Sequence, residues 1–92
     1  MTLEDNLNET LACAETCAQD GNLQAVNNFL FIAEHYAAKS GTSISAQVSE
    51  LKNLVYTKAL EYADRYSEAG NIRARDYVLC QIKKYAYDIK DK

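Results

Sequence analysis

Apolar residues recur every three or four positions in four separate stretches of this 92-residue chain. This spacing places them on one face of an α-helix, because a helix completes a turn about every 3.6 residues. The three glycines, Gly21, Gly41 and Gly70, stand where the periodicity is interrupted, and the sequence contains no proline. The pattern predicts four helices, over about residues 3–19, 23–39, 44–69 and 72–90.

Helix 2 has the broadest apolar surface of the four. Its central seam repeats at steps of three and four residues, and Phe29, Ile32 and Tyr36 are among the residues that widen it to nearly half of the circumference. Such a helix is covered on two sides, so we predict that helix 2 is the core helix of the first half of the chain. The predicted seam consists of Leu23, Val26, Leu30, Ala33 and Ala37. The apolar arc of helix 4 consists of Ile72, Val78, Leu79, Ile82, Tyr85, Ala86 and Ile89.

The dipeptide Gly21-Asn22 returns as Gly70-Asn71, and the apolar pattern around it returns as well. The match extends over residues 14–37 and 63–86, a shift of 49 positions. A glycine after a helix adopts the left-handed conformation without a steric penalty, and a following asparagine accepts a hydrogen bond from the start of the next helix. We therefore predict one helical hairpin that occurs twice. Accidental similarity between alanine-rich helices is the alternative.

Polar side chains at two other helix ends are candidate caps. Thr2 followed by Asp5 forms a capping-box-like start for helix 1. Thr42 or Ser43 is placed to cap helix 3. Arg75 falls within the apolar arc of helix 4, where we expect it to extend to solvent or to pair with an acid of helix 3.

The two hairpins predict a single all-α domain over residues 1–92, with the antiparallel hairpins forming a four-helix bundle. Locally, each hairpin resembles a tetratricopeptide-type repeat. In the second copy a small residue, an aromatic residue, the turn glycine and an apolar residue follow in the order of that motif, at Ala63, Tyr66, Gly70 and Ile72. The resemblance implies stacked hairpins as the alternative architecture. The 49-residue spacing, against about 34 in that family, and the absence of proline depart from its pattern.

Composition narrows the location of the protein. Thirteen acidic residues exceed ten basic residues, giving a net charge of −3. The first residues, with Glu4 and Asp5, lack the basic and apolar pattern of a signal peptide, and no stretch approaches the ~18 apolar residues of a membrane span. The three cysteines favour reduced thiols over a disulfide framework. We therefore expect a cytoplasmic protein that does not enter a membrane.

A face that the core does not need is the strongest candidate for a binding site. Phe31 projects from helix 2 among polar neighbours, roughly a third of a turn or more from the apolar seam. The 49-residue shift places aromatic or apolar residues at the matching outer positions of helix 4. Tyrosine and arginine combine a large body with a polar tip and anchor many interfaces. The predicted partner-binding residues are Asn28, Phe31 and His35 on helix 2 and Arg73, Tyr77, Cys80, Lys84 and Tyr87 on helix 4.

These residues predict a non-catalytic protein–protein interaction module, an adaptor or inhibitor that binds a protein partner through the outer faces of helices 2 and 4. A second copy is one candidate partner, which gives a homodimer. A phage-type inhibitor or an antitoxin also fits the small size and acidity. The alternative is that single exposed apolar residues need no explanation. We expect no enzyme and no cofactor, because His35 is the sole histidine and stands in no nucleophile motif.

Nucleic-acid binding is an alternative function for helix 4. Its tyrosines could stack on bases while Arg73 and Lys84 contact phosphates. Asp76 on the same helix and a sequence pI near 5.0 weigh against this alternative. We therefore expect nucleic acid to be an unfavoured partner.

A thiol or metal site at Cys13 and Cys17 is a further alternative. The two thiols lie one helical turn apart, and Cys80 and His35 are the remaining soft ligands. A zinc site needs four convergent nitrogen or sulfur ligands, whereas here a single pair is close in sequence. Cysteines beside an apolar stripe more often act as small core residues, so we predict no metal site.

Overall fold

The computed structural model describes residues 2–85, and these residues form four α-helices joined by short turns. The helices are α1 (Leu3–Gln19), α2 (Leu23–Ser40), α3 (Ser45–Glu68) and α4 (Ile72–Tyr85). Helices account for 87% of the described residues, which contain no strand. The four predicted helices are thus confirmed within one or two residues at each described end. The predicted extension of helix 4 to residue 90 lies outside the described residues, as do Ala86 and Ile89.

The helices pack as two antiparallel hairpins that together form a bundle, as predicted. Helix α1 packs along α2, and α3 packs along α4. Helix α1 also packs on α3, while α2 contacts both α3 and α4, so α1 and α4 are the pair that barely meet. The first hairpin therefore lies beside the second, with α2 next to α4.

Helices α2 and α3 each bury five residues in the core, and those of α2 are the five seam residues predicted for this helix. Small side chains lie between the helices: Ala14 and Ala18 of α1, Ala33 of α2 and Ala59 of α3 are fully shielded from solvent. Small residues at these positions allow the helix backbones to approach closely, since interiors are packed nearly without voids. The larger side chains in this cluster are Leu7, Leu23, Val26, Leu30, Ile44, Val48, Leu51 and Val55.

The two Gly-Asn turns have the same geometry. Gly21 has φ 69° and Gly70 has φ 78°, both in the left-handed region. The backbone N–H of Asn22 donates to the Cys17 carbonyl at 3.0 Å, and that of Asn71 donates to the Tyr66 carbonyl at 2.8 Å. Each asparagine Oδ1 then accepts from the N–H three residues on, at 3.2 Å in both turns. The predicted roles of glycine as helix stop and asparagine as helix start are confirmed in both copies.

The first of these turns also packs against the second hairpin. A Cβ placed on Gly21 would lie 2.8 Å from Cδ2 of Tyr62 and 3.3 Å from the backbone nitrogen of Ala59. Among residues 2–85, a Cβ placed on Gly70 would meet nothing within 4 Å. Gly21 is therefore required both for the turn and for the close approach of the first hairpin to α3.

The capping-box start predicted for α1 is confirmed, with Thr2 and Asp5 bonded reciprocally. The cap predicted for α3 is wrong. Ile44 occupies the N-cap position, and no side chain in the described part of the chain caps this helix end. The reason is packing: Ile44 is 6% exposed, and its burial sets where α3 begins. The hydroxyl of Thr42 instead accepts a hydrogen bond from Ser40.

Helix α4 lies at the edge of the bundle. Val78 and Ile82 pack against the core, whereas Ile72 and Leu79 from the predicted apolar arc are exposed. Arg75 pairs with its neighbour Asp76 through two hydrogen bonds of 3.0 and 3.2 Å, so the pairing predicted with helix 3 is wrong. Arg75 thus finds a hydrogen-bond acceptor in the adjacent residue and does not extend to α3.

Candidate interaction face on α2 and α4

The three candidate residues of α2 all lie on its exposed side. Phe31 is 74% exposed, and Asn28 and His35 flank it along the same side of the helix. Phe31 stands about 100° around the helix from Leu30, which is 3% exposed and belongs to the core. The burial of the α2 seam therefore fixes Phe31 toward solvent.

The candidate residues of α4 are also on the outside of the bundle. Tyr77 is 63% exposed, and Arg73, Cys80 and Lys84 are exposed as well. Val78 anchors this arrangement, because its contact with the core turns the neighbouring Tyr77 outward. The remaining candidate, Tyr87, lies outside the described residues. We call the seven described residues, Asn28, Phe31, His35, Arg73, Tyr77, Cys80 and Lys84, the α2–α4 outer face.

The start of α2 meets the middle of α4 in a shallow groove, which joins the two parts of this face. The groove has a volume of about 290 Å³, and Gln24 lines its α2 side while Tyr77 and Gln81 line its α4 side. Phe31 lies seven residues after Gln24, and Lys84 lies seven after Tyr77, so each is about two turns or roughly 10 Å further along the same side of its helix. Because α2 and α4 run in the same direction, the structure brings Phe31 and the Lys84 end of α4 to one side of the bundle.

One polar group inside this groove is unsatisfied. Gln81 Oε1 is buried and lacks a hydrogen-bond partner among the described residues. An unpaired buried acceptor costs on the order of 1–3 kcal/mol.

A second, larger groove was not predicted from the sequence. It lies where the end of α2 meets the start of α3, and its volume is about 460 Å³. Small side chains on both helices leave this space, and the buried Ile44 and Val48 form part of its lining. The signal in the sequence is the accumulation of alanine, serine and threonine residues where α2 ends and α3 begins. Hydrophobic periodicity does not distinguish such residues from ordinary surface residues. We call this space the α2–α3 groove; the residues that line it are Glu34, Ala37, Ala38, Thr42, Ser43, Ile44, Ser45, Val48, Ser49, Lys52 and Asn53.

The cysteines do not converge on one site. Cys13 and Cys80 are exposed, whereas Cys17 is half-buried and packs against the core. In residues 2–85, no group of three His, Cys, Asp or Glu side chains is arranged to hold a metal ion. Cys17 lies at the turn end of the first hairpin, while His35 is about 18 Å along α2 from the start of that helix. The thiol pair at Cys13 and Cys17 therefore has neither His35 nor Cys80 as an evident third ligand.

Comparison with known proteins adds no further constraint on the site. No protein-family model, curated protein or solved structure matches this chain. Across the described part of the chain, none of the helices has the length and apolar character needed to cross a membrane. Function is therefore inferred from the surface of the bundle itself.

Proposed function

We propose that this chain is a non-catalytic protein–protein interaction module, an adaptor or inhibitor that binds a protein partner through the α2–α4 outer face. The observation that carries the proposal is the exposure of Phe31, at 74%, on a helix whose other side buries five residues in the core. Burial of a phenylalanine side chain is worth roughly 1.5–3 kcal/mol, and Phe31 contributes little of this to the fold. Binding of a partner that covers Phe31 would be stabilised by that free energy.

Tyr77 provides a second anchor of the kind that interfaces use. Its ring is 63% exposed, and Arg73 lies one helical turn before it. Tyrosine and arginine are enriched among the residues that carry most of the binding energy in protein complexes. Phe31 on α2 and Tyr77 on α4 give the face aromatic groups on both of its helices, with polar residues around them.

The chemistry of the described residues supports a non-catalytic role. The sole histidine, His35, is exposed on α2, and in residues 2–85 no polar or charged residue is buried. Enzymes commonly shelter an acid, base or nucleophile from water so that neighbouring groups can tune it. Apart from the buried Gln81 Oε1 atom, the polar side chains of the described residues reach solvent at least in part.

Affinity capture tests the proposal. Tagged wild-type protein, Phe31→Asp, Tyr77→Asp and the control Thr57→Asp are incubated with lysate of the native host, and the retained proteins are identified. Thr57 is an exposed residue of α3 outside the face, so its variant adds the same charge elsewhere. We expect Phe31→Asp and Tyr77→Asp to lose a protein that wild type and Thr57→Asp retain. If all four proteins have the same circular dichroism spectrum and retain the same lysate proteins equally, the proposal is contradicted.

A further inference from the structure

Phe31 and the α2–α3 groove lie on the same flank of α2. Ala38 lines the groove and is seven residues after Phe31, so the two are roughly 10 Å apart and nearly in line along the helix. Phe31 is a large apolar group that projects from this flank, whereas the groove is an apolar space that opens beside it. One surface therefore carries both a projecting group and a space of the kind that could receive it.

The groove can hold an aromatic ring because of the residues that form it. Ala37 and Ala38 on α2 face Ser45 and Ser49 on α3, and all four side chains are short. Val48 adds a buried branched side chain to the lining. The volume of about 460 Å³ exceeds what one phenyl ring requires. The lining includes polar residues such as Glu34 and Lys52, but most of its accessible surface is apolar, which favours a ring over water.

From this arrangement we propose that the partner of the α2 surface is a second copy of the chain, with Phe31 of each copy seated in the α2–α3 groove of the other. The proposal rests on the proposed function, because it requires that this part of the outer face binds protein. A two-fold axis uses the same patch on both subunits, so every contact occurs twice. A patch that contains both a projecting ring and a groove satisfies this condition.

The charges along α2 agree with an antiparallel pairing of the two α2 helices. If Phe31 lies opposite Ala38 of the second copy, then Glu34 lies opposite His35 of the second copy. The Glu34 carboxylate can then accept a hydrogen bond from an imidazole N–H, and the two-fold axis forms this contact twice. Both residues are exposed in the single chain, so the pairing requires no opening of the core. A parallel pairing would instead bring like residues together.

Sedimentation equilibrium over a range of protein concentrations tests the proposal. A pair of helical faces is small for an interface, so we expect a monomer–dimer equilibrium in the micromolar range. Phe31→Asp should raise the dimer dissociation constant by about 30-fold or more, the effect of losing one strong interface residue. Ala38→Leu, which fills the groove without adding charge, should also weaken the dimer. Thr57→Asp is the control, because Thr57 is an exposed residue of α3 outside this contact, and it should leave the constant unchanged.

A charge exchange tests the pairing of Glu34 with His35. His35→Glu places two acids opposite each other at both contacts and should weaken the dimer, whereas adding Glu34→Lys to the same chain should restore it. A chain that stays monomeric at the highest soluble concentration, or a dimer indifferent to Phe31→Asp and Ala38→Leu, would overturn the inference. A monomeric chain that still captures a different protein through Phe31 would leave the proposed function standing and this inference refuted.

Discussion

The ring of Tyr62 lies so close to Gly21 that a Cβ on the glycine would be 2.8 Å from Cδ2 of the ring. The turn of the first hairpin therefore packs directly on α3. This contact fixes how far the first hairpin extends along the second. It also sets which part of α4 lies beside the start of α2, and so positions Tyr77 next to Gln24 in the α2–α4 groove.

Gly21→Ala should destabilise the fold far more than Gly70→Ala. Both glycines have positive φ, so alanine costs about 1 kcal/mol of backbone strain at each. At Gly21 the added methyl also collides with Tyr62 and the Ala59 backbone, which brings the expected loss to roughly 2–4 kcal/mol. Urea unfolding gives the free energy of unfolding of both variants. Equal losses of unfolding free energy at the two positions would show that the collision with Tyr62 adds nothing to the cost of alanine at position 21.

Combining Gly21→Ala with Tyr62→Ala tests the same contact directly. Tyr62→Ala removes the ring atoms nearest to the added methyl, so the double variant should lose less stability than the sum of the two single variants. We expect a coupling free energy of about 1 kcal/mol or more between the two positions. A value near zero would contradict the proposed collision.

Asn22→Ala and Asn71→Ala should each reduce stability by about 1 kcal/mol, because each removes a side-chain acceptor at a helix start. The consequences should differ in extent. Helix α2 buries five residues in the core and packs against the three other described helices, so Asn22→Ala should lower the global unfolding free energy. Helix α4 lies at the edge, so amide hydrogen exchange should show that Asn71→Ala mainly loosens the first turn of α4. Identical exchange patterns for both variants would contradict this distinction.

Ile44→Thr should destabilise the protein although threonine is the better N-cap residue. A new cap bond would contribute about 1 kcal/mol. Loss of buried apolar surface at a residue that is 6% exposed costs roughly 1–3 kcal/mol, and burial of a hydroxyl adds to this. Burial should therefore outweigh capping in the free energy of unfolding. A more stable variant would show that the gain from capping α3 exceeds the loss of buried apolar surface at position 44.

The helices, their turns and most of the core could be predicted from the sequence, since these depend on local periodicity and on Gly-Asn chemistry. The five-residue seam of α2 is the clearest example. Contacts between the hairpins could not be predicted, because periodicity gives the buried side of each helix but not how far one helix lies along another. The Gly21–Tyr62 contact and the α2–α3 groove both depend on that offset, and the burial of Ile44 overrode the predicted cap.

The outer positions of Phe31 and Tyr77 followed from the same periodicity, since each lies next to a residue that packs in or against the core. What these side chains bind did not follow, because exposure carries no information about the partner.

Phe31→Asp should change the free energy of unfolding by no more than about 0.5 kcal/mol, as for other exposed positions. A larger loss, measured by urea unfolding, would mean that Phe31 serves the fold.

Site-specific photocrosslinking tests the central claim most directly. A benzophenone amino acid replaces Phe31, Tyr77 or the control Thr57 in the chain expressed in its native host, and covalent adducts are identified after irradiation. We predict protein adducts at positions 31 and 77, formed either with a second copy or with another protein, and far fewer at position 57. Adduct yields at 31 and 77 no higher than at 57 would contradict the claim that the α2–α4 outer face binds protein.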